Sequence, residues 1–214
     1  MKKSVIVLIL GVMASAGLFQ SCNDKSNEKI TIEETKDLAV VEVDLDVTAL
    51  NMQNMQAAFK GETTASAKYE AFSKKADEEG NSEIALLFKA AAVAENIHAN
   101  NHKIIIERAG QETPEIIPEF TVKTTKENLE NAIEGESYEF FTMYPEFIKN
   151  ANKAGNSMAQ ISLTYAYKVE EKHRDFYIKA LEALENNNVK SLPSVYWSQK
   201  IVKTMHFSAS RFSF

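Results

Sequence analysis

The chain repeats itself, and the repeat limits what it can become. The stretch "AAFKGETTASAKYEAF" answers to "NAIEGESYEFFTMYPEF", "KKADEEGNSEIA" to "KNANKAGNSMAQ", and "VAENIHANNH" to "KVEEKHRDFY". The offset is 74 residues from Glu62 to Glu136 and 75 from Glu95 to Glu170, so one inserted residue lies between. Each half carries its apolar residues at helical spacing. In the first, Met52, Met55, Phe59, Phe72 and Ala76 share a stripe from about Ala49 until "EEGNSE" breaks the run at Gly80. A second helix is expected from Ser82 to about Arg108, followed by a long connection through Gly110, Pro114 and Pro118. A third is expected from about Lys126 to Lys153 and, past Gly155, a fourth from Ser157 to about Asn186. Pro145 falls inside the third, where it bends the helix, widens a turn or divides the helix in two. Two helical hairpins joined in this way make an all-α four-helix bundle with a long crossover between helices two and three.

Depth along the helices places the polar residues. Glu62 lies 18 residues before Gly80 and Glu95 lies 15 after it; Glu136 lies 19 before Gly155 and Glu170 lies 15 after it. At about 1.5 Å per residue all four stand roughly 22 to 28 Å from their turns, and so at one level of the bundle. Residues three apart share a helix face, which brings His98 to Glu95, His173 to Glu170 and Glu139 to Glu136. The repeat does not support Glu139, since Ala65 occupies the corresponding place in the first half; the residues alone leave it open.

Five carboxylates gathered in an apolar interior repel one another and lose their hydration. A pair of divalent or trivalent metal ions compensates, with glutamates bridging and histidines capping. Structural zinc favours sulfur and four ligands, and calcium favours oxygen without imidazole. A mixed oxygen and nitrogen set suits iron or manganese, and iron is preferred because carboxylate bridges adjust when the metal changes charge. For any single Glu and His three apart, a surface pair is the competing account; two copies at matched depth outweigh it.

Over about Leu50 to Leu184 the sequence resembles the rubrerythrin family, through "AFKGETTASAKYEAFSKKADEEG", "IALLFKAAAVAENIHANNH", "ENLENAIEGESYEFFTMYPEF" and "VEEKHRDFY". The resemblance implies a ferritin-like four-helix bundle holding two iron ions, with manganese or zinc as substitutes. The implied ligands are Glu62, Glu95, His98, Glu136, Glu139, Glu170 and His173. It further implies that one iron exchanges His98 in the reduced form for Glu139 in the oxidised form. Tyr69 and Tyr144 match two tyrosines near the family's site; amphipathic core packing is the alternative reading of both. The implied activity is reduction of hydrogen peroxide to water, with electrons from a separate donor protein, in a likeness whose members pair as homodimers. Ferroxidase or iron-handling activity is the alternative.

The ends depart from that family. "MKKSVIVLILGVMASAGLFQSC" has two lysines, an apolar run and small residues before Cys22, and resembles a lipoprotein signal. The expectation is a leader over 1–21, lipidation of Cys22, and a protein anchored in the cell envelope facing the periplasm or exterior. An uncleaved anchor and cleavage by ordinary signal peptidase are the alternatives. Residues 22–48 are expected to form a tether and a short extended arm, 49–186 the bundle, and 187–214 a tail. Family members continue into a rubredoxin-like iron domain held by cysteines, whereas here "SLPSVYW" leads into "SQKIVKTMHFSASRFSF". Cys22 is the only cysteine, which excludes an intrachain disulfide and a cysteine-ligated cluster. The net charge of −6, with no basic run longer than two, argues against a nucleic-acid partner.

Overall fold

The computed structural model describes residues 46–194 and 196. The leader, Cys22, nearly all of the expected arm, and Trp197, His206, Phe207, Phe212 and Phe214 of the tail lie outside them. The described elements are α1 (Val47–Glu78), α2 (Ser82–Arg108), α3 (Thr125–Tyr138), a π-helical segment (Glu139–Met143), α4 (Tyr144–Lys153), α5 (Ser157–Glu185) and a short 3-10 turn (Val189–Ser191). The π segment joins α3 to α4 without a break, so the bundle has four rods, and the expected all-α, ferritin-like architecture is what forms.

The helix ends follow from local chemistry. The Asp46 carboxylate accepts from the backbone N–H groups of Thr48 and Ala49 at 2.9 and 3.2 Å, supplying partners to the first turn of α1. Thr124 and Glu127 cap α3 reciprocally, each side chain accepting from the other's backbone N–H. The tight turns of the two hairpins require φ of +80° at Gly80 and +67° at Gly155, the left-handed region that glycine enters without penalty. Past each glycine the N–H of the next asparagine returns to the helix, Asn81 to Ala76 and Asn156 to Ala151.

Within the hairpins α1 packs on α2, and α3 and α4 pack on α5. The crossover between α2 and α3 has no regular structure and leaves Ile117, Phe120 and Val122 exposed. Two apolar clusters fill the interior. Tyr69, Phe72, Ile84, Phe88, Leu129 and Tyr177 belong to one. Met55, Ile106, Tyr144, Ala151 and Leu163 belong to the other. Each large side chain buried there contributes roughly 1.5 to 3 kcal/mol.

The third rod differs from a plain helix at one place, and the repeat explains it. Tyr69 and Tyr144 are 75 apart while Glu62 and Glu136 are 74 apart, so the extra residue of the second half falls between Glu136 and Tyr144. There the backbone widens into the π segment, in which the Tyr144 N–H reaches back to the Glu139 carbonyl. Pro145, which has no N–H to give, sits in the first turn of α4 directly after it. Of the three outcomes expected for Pro145, the widened turn is the one adopted.

Candidate metal centre

Four helices each carry part of a polar layer lying among apolar residues. Glu62 comes from α1, Glu95 and His98 from α2, Glu136 from α3, and Glu170 and His173 from α5; none is more than 7% exposed. Their ligand atoms form two groups, Glu62, Glu95, His98 and Glu170 in one, and Glu95, Glu136, Glu170 and His173 in the other. Within each group the atoms lie within 4.8 Å of one another, and Glu95 and Glu170 belong to both. His98 Nδ1 is 3.0 Å from Glu95 and 3.1 Å from Glu170. His173 Nδ1 is 2.8 Å from Glu95 and 3.1 Å from Glu170. The near two-fold arrangement is the internal repeat made spatial.

Glu139 stands apart. It belongs to neither group, is half-buried, and lines an open cavity of about 380 Å³ with Lys60, Gly61, Lys68 and Gly135. The six residues that repeat symmetry predicts are therefore together, and the one it does not predict is turned toward the cavity.

The carboxylates and imidazoles of the layer shift one another's protonation. Burial first, then the neighbouring Glu170 and Glu95, pushes the Glu62 carboxyl up to about 8. Burial and adjacent carboxylates also raise Glu136 and Glu139 well above the usual range. Burial would raise Glu95 too, but His173 and His98 overcome it and hold that carboxyl below its usual range. Burial disfavours charge on His98 and His173, yet the carboxylates around them, Glu170 for the first and Glu95 for the second, raise both. Among the described residues none makes a well-formed hydrogen bond to Glu62 Oε2, either oxygen of Glu95, Glu136 Oε2 or Glu170 Oε1, all of them buried. Buried acceptors of this kind are costly unless a cation faces them, so the donor set fits two metal ions with oxygen and nitrogen ligands.

Phenols support the layer from both ends. The Tyr69 hydroxyl donates to Glu136 Oε1 at 2.6 Å, and the Tyr144 hydroxyl donates to Glu62 Oε1. Burial, then the facing carboxylate, raises both phenols well above their ordinary value, so they remain donors. Sequence reasoning missed His102. It is wholly buried on α2, with Nε2 3.2 Å from the Tyr144 hydroxyl and Nδ1 2.9 Å from Ser162 Oγ. Its counterpart in the second half is Tyr177, so a search for histidines at repeated positions passes over it.

Comparison with known proteins agrees with this geometry. The family model described as Rubrerythrin matches residues 53–181. Nigerythrin of Nitratidesulfovibrio vulgaris is 38% identical over 136 residues, covering 63% of this chain and 67% of its own. Its fully reduced, all-ferrous structure superposes with a TM-score of 0.59. Rubrerythrin of Porphyromonas gingivalis is 30% identical over 137 residues, covering 64% of this chain and 68% of its own. A Desulfovibrio desulfuricans bacterioferritin, at 21% identity, a TM-score of 0.61 and coverage of 73% and 88%, shares the fold. These likenesses correct two expectations, membrane attachment through a lipidated Cys22 and an envelope location. The matches to nigerythrin and the bacterioferritins run through a bundle whose apolar faces are turned inward on one another. No helix among the described residues is long and apolar enough to cross a membrane.

Proposed function

The chain belongs to the rubrerythrin family, and from that premise we propose that its polar layer holds two iron ions and reduces hydrogen peroxide to water. The observation that carries this reading is the pair of four-ligand groups sharing Glu95 and Glu170. Glu62, Glu95, His98 and Glu170 would hold one ion, and Glu95, Glu136, Glu170 and His173 the other. When bound, the ferrous pair supplies two electrons, one from each ion, for cleavage of the O–O bond. The balance is one peroxide, two protons and two electrons to two waters, with the electrons restored by a separate donor protein.

The protein's own groups prepare that reaction. The phenols of Tyr69 and Tyr144 hold Glu136 and Glu62 in fixed orientations and keep protons next to the site. Glu139 waits at the cavity wall, from which a change of side-chain rotamer carries its carboxylate toward the end held by Glu62 and His98. The cavity brings solvent, and with it a small oxidant, to that same wall.

Metal analysis and stopped-flow spectroscopy of the full chain test the reading. The expected result is two irons per chain and reoxidation of the reduced protein faster by hydrogen peroxide than by dioxygen. Progressive iron uptake beyond two per chain, with dioxygen the faster oxidant, would overturn it in favour of iron handling.

A further inference from the structure

The two halves of the bundle are alike at the metal layer and unlike immediately behind it. Tyr69 and Tyr144 are repeat counterparts, and each donates its hydroxyl hydrogen to a glutamate of the layer. Behind Tyr69 stands Tyr177, at 5.4 Å between ring centroids, with Leu87 in the same apolar cluster. The Tyr177 hydroxyl has no hydrogen-bond partner among the described residues. At the places 75 residues removed from Tyr177 and Leu87 stand His102 and Ser162. Both members of the pair have changed together, from a phenol and an alkyl group to an imidazole and a hydroxyl.

With Glu62 ionised, as it is when it faces a cation, hydrogen counting fixes the direction of the resulting chain. The Tyr144 hydroxyl has one hydrogen and gives it to Glu62, so its oxygen accepts from His102. The Nε2 of His102 therefore carries the hydrogen of the neutral ring. Nδ1 is left as an acceptor, and Ser162 Oγ donates to it. Every link points inward, from Ser162 to His102 to Tyr144 to Glu62. His102 is wholly buried, so its ring is closed off from bulk solvent.

We propose that His102, braced by Ser162, is a positioning residue that keeps the Tyr144 hydroxyl aimed at Glu62, and so makes the two ends of the metal centre unequal. This rests on the metal reading above, and it adds a reason for the asymmetry. The held end is the one at which His98 and Glu139 are proposed to exchange. Fixing Glu62 from behind gives that exchange one stationary carboxylate to turn about. The Glu136 end exchanges no ligand, and its phenol is kept in place by aromatic packing.

Two measurements decide the matter. In zinc-loaded protein, diamagnetic and with Glu62 ionised, carrying 15N-labelled histidine, the signal that disappears in His102→Leu belongs to His102. It is expected to report a hydrogen on Nε2 and none on Nδ1, and a hydrogen on Nδ1 would overturn the proposal. In iron-loaded protein, His102→Leu is expected to slow oxidation by peroxide about 10-fold while two irons remain bound. His102→Gln, whose amide can donate to the same oxygen, restores most of the rate, and Tyr177→Phe leaves it unchanged. Wild-type rates in a fully loaded His102→Leu protein would sink the proposal. If that variant does not fold, failure of His102→Gln to exceed Ser162→Ala in rate has the same force. If the wild-type protein does not react with peroxide, the functional reading falls while the ring measurement still judges the hydrogen-bond chain.

Discussion

At the scale of single residues, sharing separates the glutamates. Glu95 and Glu170 serve both groups, so losing either affects two ions, whereas Glu139 serves neither in the geometry described. Glu170→Gln is therefore expected to lower bound iron from two per chain to below one, as read by elemental analysis. Glu139→Gln should retain two irons and slow reoxidation by peroxide at least 10-fold, if it is the exchanging ligand. Loss of iron in the Glu139 variant equal to that in the Glu170 variant would remove the distinction. The six clustered residues were legible in the sequence because each was written twice. Glu139 and His102 were harder to place because each is written once.

At the scale of elements, turns and one widened segment set the register. Gly80→Ala forces a side chain into the left-handed region, at a cost of about 1 to 2 kcal/mol. In a domain of this size that lowers the midpoint of thermal unfolding by roughly 2 to 8 °C, measurable by circular dichroism. The π segment makes a sharper prediction. Deleting Phe141, which is 63% exposed and so contributes little to the core, should restore an even helical count. Glu136 and Tyr144 would then stand seven apart, the spacing of Glu62 and Tyr69 on the plain helix α1, so Tyr144 should keep its bond to Glu62. The expected result is unchanged helix content with both metal ends retained on titration with a chelator, and early loss of metal from the end formed by Glu62 and His98 would show that the repeat register is not what aims Tyr144. The backbone up to Glu139 is ordinary α-helix, its N–H bonding back to the Gly135 carbonyl, so its place at the cavity is set by side-chain rotamer, which spacing does not show. The hairpin glycines and helix limits were readable because caps and left-handed glycines are local chemistry.

At the scale of the whole molecule, the metal layer couples stability to pH and to metal supply. A carboxyl whose pKa is raised on folding stabilises the fold below its unfolded value and loses that contribution as pH rises through the folded value. For Glu62 the window runs from about 4.5 to about 8, and the raised Glu136, Glu139, His98 and His173 act in the same direction. Glu95, held low, acts oppositely, losing its contribution only as pH falls below the usual carboxylate range. Metal-free protein is therefore expected to melt at progressively lower temperature from pH 5 to pH 8, with each titrating group changing stability by up to about 1.4 kcal/mol per pH unit. Iron-loaded protein, whose carboxylates face cations, should lose most of that slope and melt higher. A metal-free melting temperature that rises over the same range would refute the account.

The crossover has a mechanical consequence. Residues 109–124 tie the first hairpin to the second through an irregular, largely exposed strap. Each ligand group, meanwhile, takes three side chains from one hairpin and one from the other. A protease cutting the strap would leave two fragments joined by the shared ions and by the two apolar clusters, to which both hairpins contribute. Chelation should then leave only the apolar contacts to hold the halves, so the nicked protein is expected to come apart at a lower denaturant concentration without iron than with it.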